Sequence, residues 1–247
     1  LLISHGYPAD YLRMQYACPI CQDTGYVDNK KCICFRKAIS EQLYTQSNIR
    51  ELLYKTSFSN FSLDYYPEDM INQSTGLSAR RTAQIALQKA HDFVRNFDHS
   101  FENLFFYGDT GTGKTFLSCC IARELLDSTH SVIYYSAFDL FDAFAKNTFS
   151  GTEESQDEND YILDCDLLII DDLGTELTNS FVASQFFLCI NERILRKKST
   201  IISTNLTLGN FMDTYSERVF SRVSSSYTMI KLIGKDIRIQ KKILGGN

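Results

Sequence analysis

Residues 108–115 read Gly-Asp-Thr-Gly-Thr-Gly-Lys-Thr, and they restrict the folds open to this chain more than any other segment. They match the pattern G-x-x-x-x-G-K-[ST] and lie between an apolar run, 103–107, and a helical pattern, 114–126. That strand–loop–helix context is the one in which the pattern binds phosphate. Gly108, Gly111 and Gly113 let the backbone curl, so that successive N–H groups, including those of Asp109, Thr110 and Thr112, point inward at phosphate oxygens. The loop ends at a helix N-terminus, whose dipole favours negative charge. Lys114 is expected to reach the β- and γ-phosphates, and the Thr115 hydroxyl to complete a Mg2+ shell. The competing reading is a glycine-rich turn carrying a surface lysine.

The segment Leu167-Leu168-Ile169-Ile170-Asp171-Asp172 is an apolar strand that delivers two carboxylates at its C-terminal end. In an open α/β sheet that end is where ligands bind. Asp171 is expected to hold Mg2+ through its water shell, and Asp172 to orient or deprotonate the attacking water. The alternative is an acidic helix cap behind a core strand. A further strand, Thr200-Ile201-Ile202, ends in Ser203-Thr204-Asn205, where a side-chain amide could hold the water or the γ-phosphate. Thr-Asn after a strand is also an ordinary turn.

Apolar runs at 131–135 and 229–233, with helical patterns at 138–146, 180–197, 208–212 and 216–224, complete an alternation of strands and helices. An acidic loop is expected at 151–160. Strands of continuous apolar character separated by helices imply a parallel sheet covered on both faces. Ahead of this core, an aromatic linker (Phe58, Phe61, Leu63, Tyr65, Tyr66) ends at Pro67, and helices are expected over 35–53 and 78–97.

Four of the eight cysteines, Cys18, Cys21, Cys32 and Cys34, follow C-x₂-C-x₁₀-C-x-C across a turn-rich spacer. Four thiolates so spaced suit tetrahedral Zn2+ in a closed structural site. Reduced, metal-free thiols and redox use are the other readings. Cys119, Cys120, Cys165 and Cys189 lie in apolar stretches and read as reduced core residues.

Charge is segregated. Residues 139–192 hold one basic and thirteen acidic residues, whereas 193–247 hold eleven basic and three acidic ones, within a net charge of −5. No apolar run approaches the ~18–20 residues of a membrane span, and no signal-peptide layout opens the chain, so a cytoplasmic location is expected. Leu1 is not an initiator methionine, and an internal fragment of a longer product is the expectation.

The order of phosphate loop, apolar-Asp-Asp, strand-Ser-Thr-Asn and Glu217-Arg218-Val219-Phe220-Ser221-Arg222 resembles the AAA+ ATPases. Within them, the cysteine segment, the stretch 58–66 and the ending Leu232-Ile233-Gly234-Lys235-Asp236-Ile237-Arg238 resemble bacterial helicase loaders of the DnaC/DnaI type. The IstB-type transposition helpers share the core but generally lack the cysteines.

The resemblance implies a three-layer AAA+ core with a five-stranded parallel sheet and a truncated lid at 101–247. It is preceded by a zinc-binding module and helix (1–57) and a linker with a helix (58–100). It implies ATP hydrolysis with Mg2+ in a protein that escorts the replicative DNA helicase onto DNA. Asn205 takes the sensor-1 place. Arg222 takes that of an arginine finger acting on a neighbouring subunit, with Arg218 as the fallback and a plain helix-surface arginine as the other reading. Arg238 falls where a sensor-2 arginine stands, and a salt-bridged tail residue is the alternative.

Single-stranded DNA is an expected partner, contacted near 137–150, where Phe138, Phe141, Phe144 and Phe149 stand with Lys146. An amphipathic helix packed on the core is the other reading of that segment. Self-association dependent on ATP, or association with an AAA+ initiator, is implied as well. The helicase-binding element usually lies in an N-terminal helical domain that is expected to precede this chain. An IstB-like helper and a nucleotide-dependent interaction module with little turnover remain the alternatives. A GTPase is disfavoured, since no Asn/Thr-Lys-x-Asp motif follows the strands.

Overall fold

A strand that is apolar throughout must bury both of its faces, and the chain meets that demand with helices on either side of one sheet. The computed structural model describes residues 3–8, 11–28, 30–35, 38, 53, 55–128 and 130–244. Near the N-terminus a short antiparallel hairpin joins β1 (Tyr26–Val27) to β2 (Lys30–Lys31) within the cysteine segment. The helix expected over 35–53 lies outside the described residues, apart from Phe35, Ala38 and Leu53.

The core follows as α1 (Ala79–Asn96), β3 (Leu104–Gly108), α2 (Lys114–Asp127), β4 (Val132–Ser136), α3 (Ala137–Ser150), α4 (Glu153–Asp164), β5 (Leu167–Leu173) and α5 (Ser180–Leu195). It continues through β6 (Ser199–Thr204), α6 (Leu208–Tyr215), α7 (Glu217–Ser226), β7 (Thr228–Leu232) and α8 (Ile237–Leu244). The sheet order is β4-β5-β6-β3-β7, every pair parallel. This is the expected five-stranded parallel α/β core. No helix among the described residues is long and apolar enough to cross a membrane.

Side chains alternate across the strands with a period of two. Leu104, Phe106, Tyr134, Ile169 and Ile201 face one way, against Leu117, Ile121 and Leu125 of α2 and the alanine stripe Ala83, Ala86 and Ala90 of α1. The aromatic linker packs against the same cluster, with Tyr66 1% exposed. Phe105, Ile133, Leu168, Ile170 and Ile202 face the other way, against Phe141, Phe186, Ile190, Phe211 and Val223 of α3, α5, α6 and α7.

The structure corrects the acidic loop. Residues 153–164 form α4: the Thr152 side chain accepts the Ser155 amide at the N-cap, and the C-terminal turn buries Ile162. Acidic residues in a first turn suit the helix dipole. The preceding α3 stops at Gly151, which adopts φ +58°. Arg193, with no exposed surface, donates to the carbonyls of Ile162 and Leu163 and to Thr200 Oγ1, bolting the end of α4 to α5 and β6.

Candidate nucleotide and metal sites

The loop between β3 and α2 curls as its glycines allow. A Cβ on Gly108 (φ +132°) would meet the Leu232 carbonyl oxygen at 1.9 Å, and one on Gly111 (φ +72°) would meet the Asp236 carboxylate at 2.1 Å. The segment after β7 therefore lies directly against the loop, and the Ile237 amide donates to the Gly111 carbonyl at 2.9 Å. From the other side the Tyr66 hydroxyl donates to the Thr112 carbonyl at 2.8 Å. Lys114 is 4% exposed and its Nζ closes back on the loop, donating to the carbonyls of Gly108 (2.7 Å) and Asp109 (2.6 Å). Burial pulls its ammonium down to about 8, against the opposing charges of Asp172, Asp109 and Asp171, with Arg238 adding to the depression.

The two carboxylates behave differently. Asp171 is buried and collects hydroxyl donors: Thr115 Oγ1 at 3.1 and 3.0 Å, the Tyr134 hydroxyl at 2.6 Å, and Ser203 Oγ. Asp172 stands in the left-handed region at φ +54°, where the β5–β6 register shifts between Ile170 and Leu173. Its amide donates to Ser203 Oγ at 3.1 Å, and Asn205 hydrogen-bonds to its side chain. Burial, then repulsion from Asp171, raises the Asp172 carboxyl above its ordinary value, while Lys114, Arg238 and Asn205 hold it down.

A cavity of 420 Å³ brings together Thr110, Gly111, Gly113, Lys114, Thr115, Asp171, Asp172, Asn205 and Arg238. Phe61, Tyr65 and Tyr66, which the sequence signalled only as an aromatic linker, supply an apolar wall together with Phe116 and Ile237. A cradle of amides, a buried cation, a hydroxyl and a carboxylate pair form a donor set that fits a nucleotide triphosphate with a hard divalent cation. Arg238 lines the cavity while its Nη2 and Nε pair with Asp236 at 2.9 and 3.2 Å.

Two expectations fall elsewhere. Arg222 is half-buried on α7 and is not among the residues lining this cavity, and Arg218 stacks over the Phe187 ring at 4.3 Å. On α3, Phe141 and Phe144 belong to the core and are closed to stacking on a base, whereas Phe138 and Phe149 are exposed and Lys146 pairs with Asp142 at 2.7 Å.

The four N-terminal cysteines converge, with all their sulfurs within 4.8 Å of one another, Cys18–Cys32 at 3.8 Å and Cys21–Cys34 at 3.3 Å. Zn–S bonds of about 2.3 Å give a tetrahedral S···S edge of about 3.8 Å, so the cluster has the dimensions of a zinc site. The Asp23 carboxylate accepts the amides of Ala17 and Cys18 at 3.1 and 2.8 Å and braces the first knuckle. Backbone N–H groups, that of Cys21 foremost, lower the Cys18 thiol to about 7.

Residues 39–242 match the family described as IstB-like ATP binding protein. The replicative helicase loader DnaC of Escherichia coli K12 is 30% identical over 185 residues, which cover 74% of this chain and 69% of that protein. A protein of insertion sequence IS232 from Bacillus thuringiensis subsp. berliner is 24% identical over 200 residues, 74% of this chain and 79% of that one. The crystal structure of a DnaC helicase loader superposes with a TM-score of 0.57 at 22% identity, covering 71% of this chain and 98% of that one.

Proposed function

The chain belongs to the IstB-like ATP-binding family, with DnaC loaders among its relatives, and from that membership we propose that it is an ATP-hydrolysing helicase loader. The observation that carries the ATPase reading is the convergence of Lys114, Thr115, Asp171, Asp172 and Asn205 on one cavity. The identity to DnaC over two thirds of that protein carries the loader reading.

In this reading the amides of 108–115 cradle the phosphates, and Lys114 exchanges its two carbonyl partners for phosphate oxygens. The Thr115 hydroxyl and Asp171 would hold Mg2+, which would supply charge neutralisation for the phosphates. Asp172, held by Asn205 and by its own amide, orients the attacking water as general base. Arg238 addresses the terminal phosphate from α8. Arg222, which does not line its own cavity, stabilises transition-state charge in the site of a neighbouring subunit. Cys18, Cys21, Cys32 and Cys34 hold one structural zinc, and the exposed Phe138 and Phe149 are the stacking residues left on α3 for single-stranded DNA.

The test is a pull-down of the replicative helicase with the full-length product, alongside steady-state ATP turnover with and without single-stranded DNA. Capture of a transposase in place of the helicase would favour the IstB-like helper role, for which the IS232 relative speaks. Absence of turnover would reduce the chain to a nucleotide-dependent interaction module.

A further inference from the structure

Asp171 is a buried carboxylate, and a buried charge persists only where hydrogen bonds replace its water. Its three hydroxyl donors come from three elements: Thr115 from α2, Ser203 from β6 and Tyr134 from β4. Thr115 and Ser203 belong to segments already tied to nucleotide chemistry. Tyr134 belongs to none. It stands in the middle of β4, paired in register with Ile169, and the period of two turns it toward the same face as Asp171. Its ring fills the core against α2 while its hydroxyl runs along the sheet to Asp171 Oδ2 at 2.6 Å.

That distance belongs to the charge-assisted class of hydrogen bond, in which a neutral hydroxyl donates to an anion. The next residue shows that the position matters and not the residue type. Tyr135 points to the opposite face and spends its hydroxyl on Glu158 of α4, also at 2.6 Å.

We propose that Tyr134 is a positioning residue for the metal of the nucleotide site, holding Oδ2 of Asp171 as Ser203 holds Oδ1, so that the carboxylate and the Thr115 hydroxyl are fixed where they would hold the cation. The proposal rests on the reading of Asp171 as the metal-side carboxylate. Partners that orient a metal's ligands are commonly worth about 10–100-fold in metal affinity.

The experiment follows Mn2+ as the probe, by electron paramagnetic resonance, on the full chain with a non-hydrolysable ATP analogue. Analogue binding in chelator is measured beside it. Tyr134→Phe should raise the Mn2+ concentration for half-saturation about 10-fold or more and leave metal-free analogue binding unchanged. Tyr135→Phe should match wild type in both. Tyr134→Met, which lacks the hydroxyl but fills the core differently, carries the same expectation and keeps the test open should Phe unfold the chain. A core-packing role alone would lower melting temperature with and without metal and leave half-saturation where it was; that result overturns the proposal, as does an equal shift in Tyr135→Phe. Asp171→Asn separates the two levels. If it too leaves Mn2+ binding intact, the metal reading of Asp171 falls; if it abolishes binding while Tyr134→Phe does nothing, only the tyrosine's role falls.

Discussion

Asp172 holds a backbone conformation that costs most residues about 1 kcal/mol or more, and that Asp and Asn tolerate best. The cost is offset by the Ser203 contact to its amide and by Asn205 at its side chain. Asp172→Asn should therefore keep the fold and keep ATP binding, while turnover drops by about 100-fold or more, the usual worth of a general base. Lys114→Ala should weaken ATP binding about 10–100-fold, since charge-assisted contacts to the ground-state phosphates are lost. Fluorescent-nucleotide titration and phosphate release separate the two variants. The pH response follows from the same lysine. Its ammonium, held at about 8 before nucleotide arrives, is flanked by Asp109, Asp171 and Asp172 and by Arg238. Below pH 8 it is charged and binds phosphate; above pH 8 nucleotide must first restore the proton. ATP affinity should thus decline as pH rises from 7 to 9, and titrations at the two pH values check it.

At the scale of elements, two small pieces brace the site and the N-terminal module. Among the described residues the cysteine knuckles share only the two-residue pairing of β1 with β2, a small frame that the proposed zinc would reinforce. Metal analysis should find about one zinc per chain, and replacing Cys18 and Cys21 with serine should remove it while the nucleotide core still melts cooperatively. Helix α8 is fastened at its start by the Ile237 amide on Gly111 and further along by Gln240 on the Tyr65 carbonyl at 3.3 Å. Asp236 pairs with Arg238 through two of the guanidinium's nitrogens. Arg238→Ala should weaken ATP more than ADP in paired titrations, because the site is proposed to meet the terminal phosphate only.

For the whole molecule, the segregation of charge gives opposite signs to different regions of one chain. The acidic residues concentrate in 139–192, which holds α4 and the Asp171-Asp172 pair, and the basic ones in 193–247, which holds Arg222 and α8. Contacts between unlike surfaces of successive subunits propagate into rings or open spirals. ATP-dependent self-association that weakens with rising salt is the expected behaviour by light scattering or sedimentation. Arg222→Ala should bind ATP but not turn it over, and mixing it with Lys114→Ala should restore part of the activity through composite sites. A mixture that stays inactive would remove the trans role from Arg222.

The sheet was legible in the chain because its strands are continuous apolar runs, a property of neighbouring residues. The phosphate loop was legible because its glycines, lysine and threonine must be adjacent to cradle phosphate. Residues 151–160 misled because high negative charge signals exposure and not conformation. Their helix depends on a local cap at Thr152 and on Arg193, 31 residues beyond Ile162, which donates to the carbonyls at its far end. The partners of Asp171 were hidden for a similar reason. Tyr134 and Ser203 lie on different strands, 37 and 32 residues away, and only the parallel order β4-β5-β6 brings their hydroxyls to one carboxylate. Arg238 lines the cavity because β7 pairs beside β3 and delivers α8 to its rim. Periodicity records which face a residue occupies; which faces meet is settled only when the strands take their order in the sheet.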